Sequence, residues 1–247
     1  MMSSPLLEVQ SLTVSYGGDS VAVDGVDLVV REGEVCLVLG ANGAGKTSLL
    51  RGIGGFASSE PGRVRGGRVR FGGADVTGLS PRAMAKRGLV LVPEEAKVFA
   101  SLTVDENLRA VPMAGGRAAR KALVHEVTSM FPFIAGRMGL IAGQLSGGER
   151  QLLGIARSLL LKPRLLMVDE ASLGLSPIAV ETVFDMLRSV VASWGTTLLV
   201  VEQNVRAAQG ISDNAYVMET GSVVLSGPAH EVLGSERVRQ TYLGLEM

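Results

Sequence analysis

The sequence is poor in cysteine, in aromatic residues and in excess charge of either sign. Its 247 residues include one cysteine, Cys36, so no intramolecular disulfide can form, which suits a reducing cytoplasm. Lysine plus arginine and aspartate plus glutamate number 24 each, so no overall field favours nucleic acid or an acidic membrane surface. The two histidines, His125 and His230, have no companions at metal-ligand spacing, and we assign them no chemistry.

Long apolar segments are also absent. No run approaches the ~20 apolar residues that span a bilayer, and the longest runs have the length of strands. Residues 1–10 carry neither a positively charged start nor a long apolar stretch, so they do not resemble a secretory signal. We therefore expect any contact with a membrane to come through a partner.

The most informative segment present is a glycine-rich loop, GANGAGKT, from Gly40 to Thr47. It follows an apolar run and precedes a helix-like segment, which is the context of a phosphate-binding loop. Its glycines let successive backbone N–H groups face a phosphate, Lys46 can reach the β- and γ-phosphates, and the Thr47 hydroxyl can bind Mg²⁺. A glycine-rich turn with a chance Lys-Thr is the less favoured alternative. The predicted nucleotide-binding residues are Gly40, Asn42, Gly43, Ala44, Gly45, Lys46, Thr47 and Ser48.

Two carboxylates end a second apolar run. Leu165 to Val168 predict a buried parallel strand, and Asp169 and Glu170 follow at its carboxyl end, where such sheets carry their chemistry. We expect Asp169 to hold Mg²⁺ and Glu170 to polarise the water that attacks the γ-phosphate. A strand end followed by an acidic helix cap is the alternative.

A third motif, LSGGE, runs from Leu145 to Glu149. Ser146 and Glu149 have the spacing of a helix capping box, whereas Gly147 and Gly148 weaken a helix start and leave backbone N–H groups open to an anion. An ordinary capped helix accounts for the serine and the glutamate but not for the two glycines. With the two preceding motifs, this segment resembles the ATP-binding-cassette (ABC) ATPases, in which this signature loop closes over the nucleotide of a second ATPase domain.

The resemblance covers nearly the whole chain and implies roles for three further residues. Tyr16 stands where the family stacks an aromatic ring on adenine; simple packing of a strand-end tyrosine on the core is the alternative. Glu94 replaces a glutamine that contacts Mg²⁺ and the attacking water. Gln203, after Glu202, replaces the usual switch histidine and leaves no ionisable ring. The implied catalytic residues are thus Glu170, Gln203 and Glu94, and the implied metal ligands are Thr47, Asp169 and Glu94.

Closer matching indicates one branch, the shorter ATPase subunit of branched-chain amino-acid importers. The strings that carry it are VPEEAKVFASLTVDENL (92–108), DEASLGLSP (169–177), VEQN (201–204) and TYLG (241–244). The resemblance implies ATP and Mg²⁺ as ligands, a second ATPase subunit, permease subunits, an indirect solute-binding protein and a location at the cytoplasmic face of the plasma membrane. Another cargo (urea, an amide or a lipid) and a non-transport ATPase acting on DNA or ribosomes are the alternatives.

The predicted fold class is α/β: a P-loop NTPase core with an amino-terminal antiparallel β subdomain and an inserted helical subdomain. We expect one domain over 1–247, with 1–92 and 158–247 forming the core and about 93–157 the helical insert. Four arginines that alternate with small or apolar residues predict the solvent face of a strand pair rather than a ligand site. They are Arg63, Arg65, Arg68 and Arg70. Predicted strands cover Leu6–Tyr16, Val21–Val30, Glu34–Leu39 and Thr197–Val201, and a terminal hairpin joins Asn214–Met218 to Ser222–Ser226.

Overall fold

A computed structural model describes residues 5–17, 20–58, 62–94, 98–113, 115–205 and 210–242. Residues 1–4, 95–97 and 243–247 lie outside this description. They include part of the amino-terminal segment and parts of the strings 92–108 and 241–244. The strands are β1 (Pro5–Tyr16), β2 (Ser20–Arg31), β3 (Val35–Leu39), β4 (Gly62–Phe71), β5 (Ala74–Asp75), β6 (Leu89–Val92), β7 (Leu165–Asp169), β8 (Thr197–Glu202), β9 (Asn214–Glu219) and β10 (Ser222–Pro228).

The helices alternate with the later strands. They are α1 (Lys46–Ile53), α2 (Pro81–Lys86), α3 (Val104–Arg109), α4 (Arg117–Met130), α5 (Pro132–Ala135), α6 (Gly147–Leu159), α7 (Pro177–Trp194), α8 (Ala229–Gly234) and α9 (Glu236–Tyr242). Short 3-10 turns lie at Phe56–Ser58 and Ala142–Gln144. Within the described ranges, none of these helices is long and apolar enough to cross a bilayer.

The central sheet has the strand order β10-β9-β3-β8-β7-β6. All neighbours from β6 to β9 run parallel, and only β10 is antiparallel. Strands β3, β7 and β8 are buried along their whole length, as continuous apolar strands covered on both faces should be. Their carboxyl ends meet at one edge of the sheet, which brings Gly40, Asp169 and Glu202 to the same side of the molecule.

A second, antiparallel sheet has the order β2-β1-β4-β5, and the strand-rich start predicted from the sequence is confirmed. In β4 the arginine spacing changes phase across Gly66 and Gly67. The pairs with β1 keep one register on both sides of this point, Gln10 with Arg68 and Val14 with Val64, but the ladder between them is irregular and Gly67 takes φ +87. Arg63, Arg65 and Arg68 are exposed, Arg70 is half-buried, and Arg68 pairs with Asp75 at 3.2 Å. The solvent-face prediction is therefore confirmed.

Helices α3 to α6 lie in the segment that the sequence predicts to be the helical insert. A capping box of Thr103 and Glu106 is present at the start of α3, and Pro132 in the first turn of α5 marks the break between α4 and α5. Helix α6 continues to Leu159 and so crosses the boundary at residue 157 that the sequence suggested. The division of the chain into core and insert remains a prediction.

The carboxyl-terminal half follows the sequence pattern closely. Ser176 caps α7 and Gly195 ends it at φ +63. The hairpin of β9 and β10 turns through Thr220 and Gly221, both with positive φ, which is the geometry of the tight turns that join hairpins. Cys36 is completely buried, in agreement with a packing role.

Candidate nucleotide-binding site

The glycine-rich loop joins the end of β3 to the start of α1. Gly45 precedes the helix in the left-handed conformation at φ +99, with no side-chain cap and no acidic residue in the first turn. Any β-carbon on Gly45 would lie 2.3 Å from the Ala22 carbonyl oxygen, and one on Gly40 would lie 2.7 Å from that of Met218. Only glycine fits both positions. The first N–H groups of α1 therefore stay open, and an anion can satisfy them.

An open cavity of about 520 Å³ lies above this helix start. It unites residues from distant parts of the chain: ten of the residues predicted from the sequence line it, and Ala22 and Leu173 complete the lining among the described residues. The lining consists of Tyr16, Ala22, Asn42, Gly43, Ala44, Gly45, Lys46, Thr47, Ser48, Glu94, Glu170 and Leu173. The loop thus forms one wall, and the ends of β1, β6 and β7 supply the others.

Lys46 is the cationic centre of this cavity, although its side chain is only 4% exposed. Its ammonium group donates to the carbonyl oxygens of Gly40 (2.8 Å) and Ala41 (3.1 Å). It also lies 3.4 Å from Glu170 Oε1. A buried ammonium needs such anionic or carbonyl partners, and phosphate oxygens can replace the weaker of them.

Asp169 and Thr47 meet beneath the loop, where the Thr47 hydroxyl donates to Asp169 Oδ1 at 3.2 Å. Burial raises the pKa of Asp169 to about 6; the Thr47 hydrogen bond lowers it, and the charges of Glu170 and Glu94 raise it further. Among the residues that the structure describes, no three His, Cys, Asp or Glu side chains are arranged to hold a metal by themselves. The oxygens present fit Mg²⁺, which usually takes one or two carboxylates and completes its shell with substrate phosphates.

Glu170 has an unusual backbone. It is a non-glycine residue at φ +45, and its N–H donates to the Val201 carbonyl at 3.0 Å. Such conformations cost roughly 1–2 kcal/mol for a residue with a β-carbon and are concentrated at functional sites. The turn places the Glu170 carboxylate in the cavity beside Lys46.

Tyr16 both lines the cavity and packs against the antiparallel sheet. Its ring lines the cavity, yet it also packs so tightly on Gly62 that a β-carbon there would lie 2.6 Å from a ring carbon. Its buried hydroxyl has no hydrogen-bond partner. The ring is therefore held rigidly by the antiparallel sheet while one part of it remains accessible from the cavity.

Residues 23–173, more than half of the chain, match the sequence model of the family described as ABC transporter. The chain belongs to the ABC transporter family. It is an ATPase of the kind that hydrolyses ATP to drive transport.

Known relatives of this ABC ATPase match it from end to end. The high-affinity branched-chain amino acid transport ATP-binding protein BraG of Pseudomonas aeruginosa is 35% identical over 93% of this chain and 96% of its own length. The probable branched-chain amino acid transport ATP-binding protein LivF of Archaeoglobus fulgidus is 35% identical over 97% and 99%. The ADP conformation of the ABC transporter cassette MJ1267 superposes with a TM-score of 0.80 at 27% identity, covering 98% of this chain and all of that one.

The signature loop lies outside the cavity in this ABC ATPase. Ser146 caps α6 and forms the full predicted box, with Ser146 N–H donating to Glu149 Oε2 (2.8 Å) and Glu149 N–H to Ser146 Oγ (3.3 Å). Gly148 is buried, and a β-carbon there would lie 2.8 Å from that of Ala179 in α7. Close packing of α6 on α7 thus gives Gly148 a structural reason that the sequence did not show. Gly147 stays exposed.

Gln203 and Glu202 are neighbours at the end of β8, yet one is exposed and the other is buried. The sequence did not indicate this difference. Gln203, predicted to act on the nucleotide, is exposed and does not line the cavity of the single chain. Glu202 is 1% exposed and accepts hydrogen bonds from Ser172 in the loop after β7. Sequence analysis placed Glu202 at the strand end without a role, because no local pattern shows that Ser172 would lie beside it.

Proposed function

We propose that this ABC ATPase energises the import of branched-chain or related amino acids. The supporting observation is the extent of the match: its branched-chain relatives BraG and LivF agree with it over almost their whole lengths at 35% identity. A methionine import relative, MetN 1 of Rhodococcus jostii, is also 35% identical, but the match covers 68% of that protein. The branched-chain assignment therefore has the broader support.

The cavity residues have complementary roles in this proposal. Open N–H groups of α1 and the Lys46 ammonium bind the phosphates, while the Tyr16 ring contacts the base. Thr47, Asp169 and Glu94 supply oxygens for Mg²⁺, which neutralises phosphate charge when bound. As Lys46 turns from Glu170 toward the phosphates, the Glu170 carboxylate becomes available to accept a proton from the attacking water. Gln203 joins this site in the assembled form.

A second ATPase subunit is part of the proposal because the signature loop and the cavity of one chain do not meet. None of Ser146, Gly147, Gly148 and Glu149 lines the cavity, whereas Ser146 and Gly147 are exposed. In a head-to-tail pair, each signature loop would cover the nucleotide of the other subunit. The dimeric cassettes among the solved structures, such as the post-hydrolysis MJ0796 bound to ADP and Pi, share this fold with a TM-score of 0.77 at 21% identity over 91% of this chain and 99% of that one.

Permease subunits are the other proposed partners, and the helical segment offers a surface for them. A groove of about 600 Å³ lies between α3 and α4, where Val124 and Met138 provide an apolar floor. Four basic side chains surround it, Arg109, Arg117, Arg120 and Lys121, and Asp105 beside them pairs with Arg109 at 2.8 Å. An amphipathic helix with an acidic edge fits this chemistry. We propose that the subunit attaches in this way to the cytoplasmic face of the plasma membrane.

The test is reconstitution with the permease subunits and the solute-binding protein that co-purify from membranes. We expect the binding protein loaded with leucine, isoleucine or valine to stimulate ATP turnover, and a complex carrying Lys46→Ala to show no stimulation. Stimulation only by methionine, urea or an amide would replace the cargo but retain the transport role. Co-purification of ribosomal proteins or DNA in place of a permease would contradict the transport proposal.

A further inference from the structure

Glu202 is a buried carboxylate that has no role in the proposed binding of phosphate, Mg²⁺ or base. It ends β8 and accepts three hydrogen bonds: from Ser172 N–H (2.8 Å), from the Ser172 hydroxyl (2.7 Å) and from Asn204 N–H (3.4 Å). All three donors are neutral. Burial raises the pKa of Glu202, those hydrogen bonds oppose the shift, and the nearby charge of Glu170 adds to it. A buried carboxylate with neutral donors alone is costly unless its geometry serves a purpose.

The hydrogen bonds of Glu202 join two segments that both lead to the cavity. Ser172 follows the catalytic Glu170 by two residues and precedes Leu173, which lines the cavity. On the other segment, Glu202 directly precedes Gln203. The Glu170 N–H bond to the Val201 carbonyl (3.0 Å) joins the same two segments, two residues before Ser172 on one and one residue before Glu202 on the other. The orientation of Glu170 is thus fixed from both sides of its strained backbone.

We propose that Glu202 is a positioning residue for ATP hydrolysis, which orients Glu170 by anchoring Ser172 and holds the switch segment at Gln203 in register with it. This inference rests on the proposed role of Glu170. Glu202 does not contact the nucleotide and acts only through these two neighbours. Misplacing a reacting group by about 1 Å can reduce a rate about 100-fold, so loss of this anchor should affect the chemical step more than binding.

The first experiment compares Glu202→Ala with Glu202→Gln in the purified transporter complex. Alanine removes every acceptor, and we expect kcat to fall about 30- to 100-fold while KM for ATP changes less than about 3-fold. Glutamine keeps an oxygen for Ser172 N–H and can donate to its hydroxyl, so kcat should return to within about 3-fold of wild type. The matched control is Thr197→Ala, since Thr197 is an equally buried side chain that accepts from Gly33 N–H (2.9 Å) at the opposite end of β8. Its kcat should remain unchanged.

A double variant separates positioning from general stability. If Glu202 acts through Glu170, then Glu202→Ala should produce no further loss of single-turnover rate in a Glu170→Gln background. An equal loss in both backgrounds, or an unchanged kcat in Glu202→Ala, would overturn the proposal. Should Glu202→Ala not assemble, Ser172→Ala removes the hydroxyl donor alone, and an unchanged kcat there would overturn it as well. Wild-type turnover in Glu170→Gln itself would instead contradict the role of Glu170, which distinguishes the two failures.

Discussion

The amino-terminal ends of α1 and α6 both follow glycine-containing loops, yet they satisfy their backbone N–H groups in opposite ways. At α1, Gly45 provides no side-chain cap. At α6, Ser146 and Glu149 bond each other's N–H groups and close the helix start. An uncapped helix start leaves N–H groups for water or an external anion to satisfy, whereas a capped one already has its partners.

This difference indicates that the two loops contribute unequally to one nucleotide. The loop before α1 has open N–H groups, the buried Lys46 and an open cavity, so in the proposed function it binds the triphosphate without help. The signature loop offers an exposed face around Gly147, and Arg137 also pairs with Glu149 there. It can complete a site that another chain has already built.

The largest effect is expected at Glu170. Glu170→Gln keeps the shape of the side chain but removes the group that accepts the water proton, so kcat should fall by about 10²–10⁴-fold with ATP affinity retained. Turnover by phosphate release and binding by calorimetry measure the two quantities. Undiminished turnover in the assembled transporter would mean that another residue activates the water.

Lys46→Ala tests binding at the α1 loop. Loss of charge-assisted contacts to two phosphates should weaken ATP binding about 100-fold, or about 3 kcal/mol. The matched control is Lys162→Ala, because Lys162 is an exposed lysine in another groove. If calorimetry gave the same affinity for both variants, the cavity would not be the triphosphate site.

The sequence predicted the backbone around this candidate site where its signals are local. Glycine spacing, strand ends and capping boxes fix the backbone of β3–α1 and of α6, and these elements appear as expected. Contacts between distant segments were not predictable in the same way. Gly148 depends on Ala179, and Glu202 depends on Ser172, because in each case the sheet or the helix pair decides which residues meet.

Asp169 provides a test through pH in the absence of nucleotide and Mg²⁺. Its pKa is raised to about 6 from 3.8, so the native state binds a proton more readily than the unfolded state. Its ionisation therefore destabilises the fold above pH 6, and this penalty is relieved as the pH falls toward 3.8. From pH 7 to pH 5, we expect the free energy of unfolding of wild type to rise by about 1 kcal/mol relative to Asp169→Asn. Parallel pH profiles for the two proteins would contradict the raised pKa.

Ser146→Ala tests the capped helix. Loss of the cap should lower the free energy of unfolding by about 1 kcal/mol, and loss of the signature face should reduce turnover of the assembled transporter but leave ATP binding to the isolated chain unchanged. Ser80→Ala is the matched control, since Ser80 caps α2 and accepts from Ala83 N–H at 3.4 Å, away from the cavity. A similar loss of stability without loss of turnover is expected there. Weaker ATP binding by the isolated Ser146→Ala chain would mean that the signature loop serves its own cavity.

The smallest effect concerns unequal sites. If the partner is a different ATPase subunit, the assembly contains two composite sites: this chain's α1 loop with the partner's signature loop, and the reverse. Gln203 lacks the imidazole that elsewhere positions the γ-phosphate and water, so we expect the site on this chain's α1 loop to be the slower one. The alternative is that the glutamine amide, with its donor and acceptor, performs equally.

Gln203→His should therefore raise the single-turnover rate of this chain's site by a few-fold, about 1 kcal/mol, when the partner's catalytic glutamate is changed to glutamine. The reciprocal complex carries Glu170→Gln in this chain and therefore reports the partner's site alone. With Gln203 unchanged in both complexes, we expect the reciprocal complex to turn over faster than the first. Equal rates from the two complexes would support two equivalent sites. A stable and active homodimer of this chain would remove the premise of asymmetry, because both α1 loops would then meet identical signature loops. Each site would contain one uncapped and one capped helix start, so this distinction would lie within every site rather than between the two sites.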